Sequence, residues 1–225
     1  MGSDVVELIA ELVPLAIGLA ASPLPLIAVL VMILSPSGRG RSIGFAVGRV
    51  LAVLATAVAV AALSELFTQG SGGTRVGAAL RLVLGVVLVL LSISKLRSRP
   101  RGSAEPETPG WMQALDGMPP AKALGTGVLV TVINPKELIF GVAAGVVIGS
   151  ATLSPGMVAA ALLIYTAIAT ITVVVPVVAY LLVGSRVRGM LEPVRTWLVR
   201  YYNVIIAAVL AIIGAVMIGK GLAGF

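Results

Sequence analysis

The sequence predicts an all-α, polytopic membrane protein: six transmembrane helices in an inverted three-plus-three repeat, with helices one and four broken at mid-membrane. Three observations carry this prediction. The 225 residues are 59% hydrophobic and 11% charged, with a mean hydropathy of +1.11, more apolar than a soluble domain of this length can bury. Six stretches are long enough to cross a hydrocarbon core of about 30 Å, each needing about 20 mostly apolar residues. Two of them are interrupted by proline at comparable depths, in Ser22-Pro23-Leu24-Pro25 and in Asn134-Pro135-Lys136-Glu137. Segments of alternating hydrophobicity about ten residues long are missing, which argues against a β-barrel.

The predicted spans are Val5 to Leu34, Ile43 to Phe67, Val76 to Leu96, Ala123 to Ile148, Met157 to Val183 and Asn203 to Leu222. They form a single transporter domain, with one repeat over 1–96, a polar loop over 97–120 and a second repeat over 121–225. The acidic start, with Asp4, Glu7 and Glu11, lacks the basic region of a signal peptide, so the first span is expected to be retained. In the polar loop, Trp111 and Met112 suit the headgroup level.

Net charge is +7, and the cations cluster at span ends rather than in a nucleic-acid-binding patch. Arg39 and Arg41 follow span one, Lys95, Arg97, Arg99 and Arg101 follow span three, and Arg186, Arg188, Arg195 and Arg200 follow span five. All three groups fall on one side, which the positive-inside rule makes cytoplasmic, so both termini are expected outside. An odd number of spans per repeat then gives the halves opposite topology, and Leu84-Gly85-Val86-Val87 echoes Ile213-Gly214-Ala215-Val216 in the corresponding spans.

The first span would make a straight helix of about 45 Å, at about 1.5 Å per residue, too long for the core it crosses. Pro23 and Pro25 each lack an N–H and clash with the carbonyl four residues earlier, those of Leu19 and Ala21, so the helix is expected to break there. Ser22 before Pro23 reads as an N-cap before a proline at the first helical position. In the second break Asn134 caps, Pro135 follows, Lys136 adds a full positive charge, and Glu137 stands where a capping box places its acid. Two half-helix N-termini aimed at the interior make a site for a negative group, so the predicted cargo carries a carboxylate or phosphate.

Ser22, Pro23, Pro25, Asn134, Pro135, Lys136 and Glu137 are therefore the candidate substrate-binding residues. The opposing reading makes the prolines simple kinks and lets Lys136 and Glu137 pair with each other or snorkel. Glu137 reads as a capping acid, with proton carriage as the alternative. Arg49 is a further candidate, although it stands near the basic end of its span and can snorkel there. Glu65 and Arg81 read as interfacial anchors. Tyr165, Thr166 and Thr170 bring hydroxyls into span five, and bonds to their own helix backbone explain the threonines.

Gly141, Gly145 and Gly149 form a small-residue face on span four, and Gly44 with Gly48 forms another on span two. Packing within one copy is the favoured reading and a homodimer the alternative. With neither cysteine nor histidine, disulfides, thiol chemistry and imidazole-based metal sites are excluded. No paired carboxylates and no P-loop lysine motif are found, so no enzyme activity, cofactor or metal is expected.

These residues carry a family resemblance. Ser22-Pro23-Leu24-Pro25, Ser35-Pro36-Ser37-Gly38-Arg39-Gly40-Arg41, Trp111-Met112 with Asp116, and Asn134-Pro135-Lys136 together resemble the LysE-type (lysine exporter) superfamily. Within it the chain is most similar to the GAP (glycolipid-addressing protein) branch of actinobacteria, over nearly its whole length. The resemblance implies an inner-membrane protein that exports a small solute or takes part in moving envelope glycolipids outward. Glu137 departs from the branch, which more often has an amide there. The expected partners are a small anionic solute or lipid headgroup and membrane lipid. The expected function is export or flipping of an anionic-headgroup envelope lipid by alternating access. An amino-acid exporter is the first alternative, and a non-transporting adaptor for envelope-lipid synthesis enzymes the second.

Overall fold

In the computed structural model, residues 2–36, 38–64, 75–97, 115, 117–151, 153–184 and 186–222 are described. They form eight helices: α1 (Gly2–Ala20), α2 (Pro23–Leu34), α3 (Gly38–Ala62), α4 (Arg75–Arg97), α5 (Pro120–Ile133), α6 (Pro135–Ser150), α7 (Pro155–Val183) and α8 (Arg186–Leu222). No strand occurs among the described residues. Two helices, α3 and α7, are long and apolar enough to cross a membrane by themselves. α1 with α2 and α5 with α6 pass the same test as bent pairs, at 50° and 76°, which makes two to four candidate membrane spans among the described residues.

Both breaks fall at the sequence-predicted prolines. At the first, α1 ends at Ala20 and its last carbonyls are taken up nearby: Ala21 N–H donates to Ile17 O at 2.9 Å and Ser22 N–H to Leu19 O at 3.2 Å. Ala20 O accepts from the Thr172 hydroxyl of α7 at 2.9 Å. The Leu19 carbonyl thus needs neither water nor a cation. Thr172→Val is expected to lower stability by about 0.6 kcal/mol, with about 1.7 kcal/mol as the ceiling for such a bond in a membrane bundle. Unfolding in detergent against the unaltered protein measures this, and an unchanged midpoint would show that the bond contributes nothing.

The chain divides into two compact units, Met1–Thr68 with Thr108–Arg195, and Gln69–Glu107 with Thr196–Phe225. In the first, α3 carries two opposed faces. Ile43, Val47, Leu51 and Val58 are exposed along one side, as suits a lipid-facing stripe, while Phe45, Arg49, Val53 and Ala57 are buried on the other. The bent pair α5 and α6 lies along that buried side. Gly44 and Gly48 admit the α5 backbone at Pro120 and Leu124, and Gly127 of α5 faces the backbone of Phe45 in return. Gly141, Gly145 and Gly149 of α6 continue the contact onto Thr56, Val60 and Ser64, where a Cβ on Gly145 would stand 2.6 Å from Val60 Cβ. Both glycine faces are therefore packed inside the protomer. The core of this unit is completed by Leu12, Ala16 and Leu19 of α1 and Leu162, Tyr165 and Ala169 of α7.

In the second unit the two echoing glycines face one another. A Cβ on Gly85 would lie 2.9 Å from Gly214 O, and one on Gly214 would lie 2.9 Å from Gly85 O. Ser92 donates to Ala207 O at 2.7 Å across the same pair of helices. One correction concerns α8, which starts at Arg186, well before the sequence-predicted Asn203. Leucine, valine, methionine and arginine are good or tolerable helix formers, and the single Pro193 is accommodated inside the helix. The sequence was polar enough there to end a membrane span but not a helix. Glu65, Arg99, Arg101, Trp111, Met112 and Asp116 lie outside the described residues, as does the side chain of Arg81.

Candidate functional site

The second break assembles the polar centre of the first unit. α5 ends at Ile133, and Asn134 adopts an extended backbone, φ −75° and ψ 111°, that lets α6 start in a new direction. Its side-chain oxygen accepts from the Lys136 N–H at 3.1 Å and its carbonyl from the Leu138 N–H at 3.0 Å. Asn134 therefore caps α6 with Pro135 behind it, as the sequence indicates. The cap fixes the azimuth of the two residues that follow, so Lys136 and Glu137 enter the bundle from the first turn of a half-helix.

Glu137 does not complete a capping box. Its Oε2 lies 2.6 Å from Nη1 of Arg49 on α3, and the two side chains are 0% and 1% exposed. The same Nη1 reaches the Thr131 hydroxyl at 3.4 Å, and that hydroxyl donates to Gly127 O at 3.0 Å. Arg49 therefore does not snorkel. The close approach of α3 to α5 at Gly48 and Gly127 sets its guanidinium beside the break instead of at the membrane surface. The charge-assisted bond to the buried carboxylate offsets part of the cost of taking the guanidinium out of water.

The pair does not use all its hydrogen-bonding capacity. Arg49 Nε and Nη2, Glu137 Oε1, Lys136 Nζ and the Tyr165 hydroxyl are all buried and meet no hydrogen-bond partner among the described residues. Among the described residues Lys136 pairs with no carboxylate; its ammonium stands 5.8 Å from the centre of the Phe140 ring, one turn along α6. That ring is seated on Gly18 of α1, where a Cβ would stand 2.5 Å from its edge. Tyr165 on α7 is 1% exposed and belongs to the core against which Phe140 is packed. Four helices thus converge on a centre with two cations, Arg49 and Lys136, against one carboxylate, and several free donors.

The first break contributes differently. Ser22, Pro23 and Pro25 are buried, and Pro23 takes the first helical position of α2, but the Ser22 hydroxyl makes no cap bond. This corrects the sequence expectation, and the proline spacing explains it. Pro23 and Pro25 remove two of the N–H groups that the start of α2 would otherwise direct at a serine oxygen or at a bound anion. The two breaks are alike in backbone and unlike in chemistry, since only the second carries charge and a formed cap.

Sequence reasoning passed over Thr131, Phe140 and the part played by Tyr165. The arginine held the signal for the pairing. A guanidinium flanked by Gly48 and Val50 inside an apolar run needs an anion, and Glu137 is the acid standing deepest in another span.

The family described as "Sap, sulfolipid-1-addressing protein" matches residues 12–223 of the chain. No curated protein and no solved structure matches it.

Proposed function

From the membership of this chain in the Sap, sulfolipid-1-addressing protein family, which makes it a membrane protein of glycolipid addressing, we propose that it exports or flips an anionic-headgroup envelope lipid or lipid precursor. The observation that carries this reading is the excess of buried positive charge at the second break. Arg49 is matched by Glu137, whereas Lys136 has no counter-charge within bonding distance and is held away from water. A buried ammonium without a partner is costly in a membrane, and a visiting sulfate, phosphate or carboxylate relieves that cost. Free donors on Arg49 and the Tyr165 hydroxyl supply further bonds to the same anion.

Six spans with inverted repeats, cytoplasmic basic loops and outward termini complete the proposal, with the broken helices as the elements that alternate. The bends at Ser22 and Asn134 support it, because each lets one half-helix tilt without dragging the other. An anionic amino-acid carboxylate fits the same centre, so the cargo series must include one.

The test is flipping in proteoliposomes of fluorescent phosphatidylglycerol, a sulfated glycolipid, phosphatidylcholine and a labelled amino acid. The expected result is movement of the two anionic lipids and little of phosphatidylcholine, with Lys136→Met losing at least about tenfold of the anionic rate, about 1.4 kcal/mol. Because Lys136 Nζ makes no hydrogen bond, the variant is expected to stay folded. Equal movement of neutral and anionic lipids by the unaltered protein, or an anionic rate that a folded Lys136→Met protein keeps in full, would defeat the proposal, and amino-acid movement alone would transfer it to the exporter alternative.

A further inference from the structure

Between α1 and α7 lies a cavity of about 160 Å³ whose lining is almost wholly apolar, formed by Leu8, Leu12 and Ala16 on one wall and Met157, Ala161 and Ile168 on the other. Its rim carries Ile9 and Ile164, each more than half exposed, so it opens on the side that faces hydrocarbon. Leu8 to Ala16 spans about 12 Å and Met157 to Ile168 about 16 Å at about 1.5 Å per residue. One leaflet of a core about 30 Å thick is about 15 Å deep. The groove therefore runs roughly the depth of a single leaflet.

Tyr165 joins this groove to the polar centre. It lines the groove, yet its hydroxyl is buried without a hydrogen-bond partner among the described residues, and it belongs to the core against which Phe140, the ring beneath the Lys136 ammonium, is packed. A tyrosine buried in a membrane core ordinarily finds a partner for its hydroxyl, because none is available from the surrounding hydrocarbon. Here the unpartnered hydroxyl marks the junction between an apolar channel and a cationic pocket, the arrangement that an amphipathic molecule with one charged end satisfies at both ends.

We propose that the groove between α1 and α7 holds an acyl chain of the same lipid whose anionic head binds at Arg49 and Lys136, with Tyr165 bonding the head where it joins the chain. This rests on the anionic-lipid reading above and adds the place of the chain. Under the positive-inside orientation, Leu8 and Met157 stand toward the outer surface, so the groove serves the outer leaflet and the lipid leaves along it.

The experiment uses the full chain in nanodiscs with phosphatidylglycerol bearing a diazirine in one acyl chain, and phosphatidylcholine with the same chain as the neutral probe. Peptides from 8–16 and 157–168 are expected to be labelled about tenfold more by the anionic probe, a preference of about 1.4 kcal/mol. Ala160, exposed on the groove, allows it to be filled from the rim without disturbing the core. Ala160→Trp is expected to abolish this labelling and to leave binding of sn-glycerol 3-phosphate, measured by calorimetry, as in the unaltered protein; Lys136→Met is expected to abolish the anionic preference, and Tyr165→Phe to weaken it.

Labelling that is equal for both probes, or unaffected by Ala160→Trp, would mean ordinary annular lipid and overturn the groove. If Ala160→Trp leaves labelling and flipping unchanged while Lys136→Met stops flipping, the groove fails and the anion site stands. If labelling falls with Ala160→Trp but keeps its anionic preference in Lys136→Met, the link between groove and headgroup site is overturned.

Discussion

Glu137→Ala is expected to destabilise the folded protein by about 3–5 kcal/mol, the cost of leaving a buried guanidinium without its counter-charge. Arg49 is fully buried and its other polar contact is the Thr131 hydroxyl at 3.4 Å, too long to take over. Arg49→Met alone is expected to cost a similar amount, because the Glu137 carboxylate is then stranded. The double variant Arg49→Met with Glu137→Leu is expected to recover most of the loss, since an apolar pair of similar volume needs no desolvation. Unfolding midpoints of all four proteins in one detergent close the cycle. A double variant as unstable as the sum of the two singles would mean that the residues are not coupled and that the 2.6 Å contact carries little energy. Flipping separates stability from function. A refolded double variant retains Lys136 but lacks Arg49, so it is expected to bind the anionic probe less well while remaining folded.

Gly48→Ala is the second large effect, at about 1–3 kcal/mol or more. The added Cβ would stand 2.9 Å from the Leu124 carbonyl carbon and 3.1 Å from its Cα, and a helix backbone cannot yield as a side-chain tip does. α3 and α5 would have to separate, and Arg49, the next residue, would be drawn off Thr131 and Glu137. Both yield and anionic-lipid flipping are therefore expected to fall together. Gly125→Ala on α5 is the control, because a Cβ there has no atom within 4 Å. It is expected to be neutral or to stabilise by up to about 1 kcal/mol through better helix propensity. Equal behaviour of the two variants would show that α3 and α5 are not in close contact.

The backbone of the site was legible in the chain because proline and asparagine act locally. Pro23, Pro25 and Pro135 each remove a bond from their own helix, and Asn134 caps the helix that follows it, so the two breaks needed only a few consecutive residues to be read. What the sequence left open is nonlocal. Arg49 and Glu137 are 88 positions apart, and nothing near Arg49 says whether its side chain turns toward the interface or the interior. That choice is made by the close approach of Gly48, its neighbour on α3, to α5 at Leu124 and of Gly127 to α3 in return. Ser22 misled for a local reason of another kind: Pro25 removes one of the two N–H groups that a capping side chain can receive, and no bond to the other forms. The Thr172 hydroxyl serves Ala20 on another helix, a partner that only the fold supplies.

The separation of Arg49 from Glu137 also bears on how the protein is made. α3 is synthesised 88 residues before its counter-charge, and at about 5–20 residues per second the wait is about 4–18 s. An arginine at the centre of an inserting helix costs about 2.5–3.5 kcal/mol on the scale of the insertion machinery. The apolar length of α3 outweighs this, but until α6 emerges the guanidinium has no carboxylate to join. The Asn-Pro-Lys-Glu turn is thus the late half of a pair whose early half is already made, and the cost of the arginine falls only once that turn packs against α3.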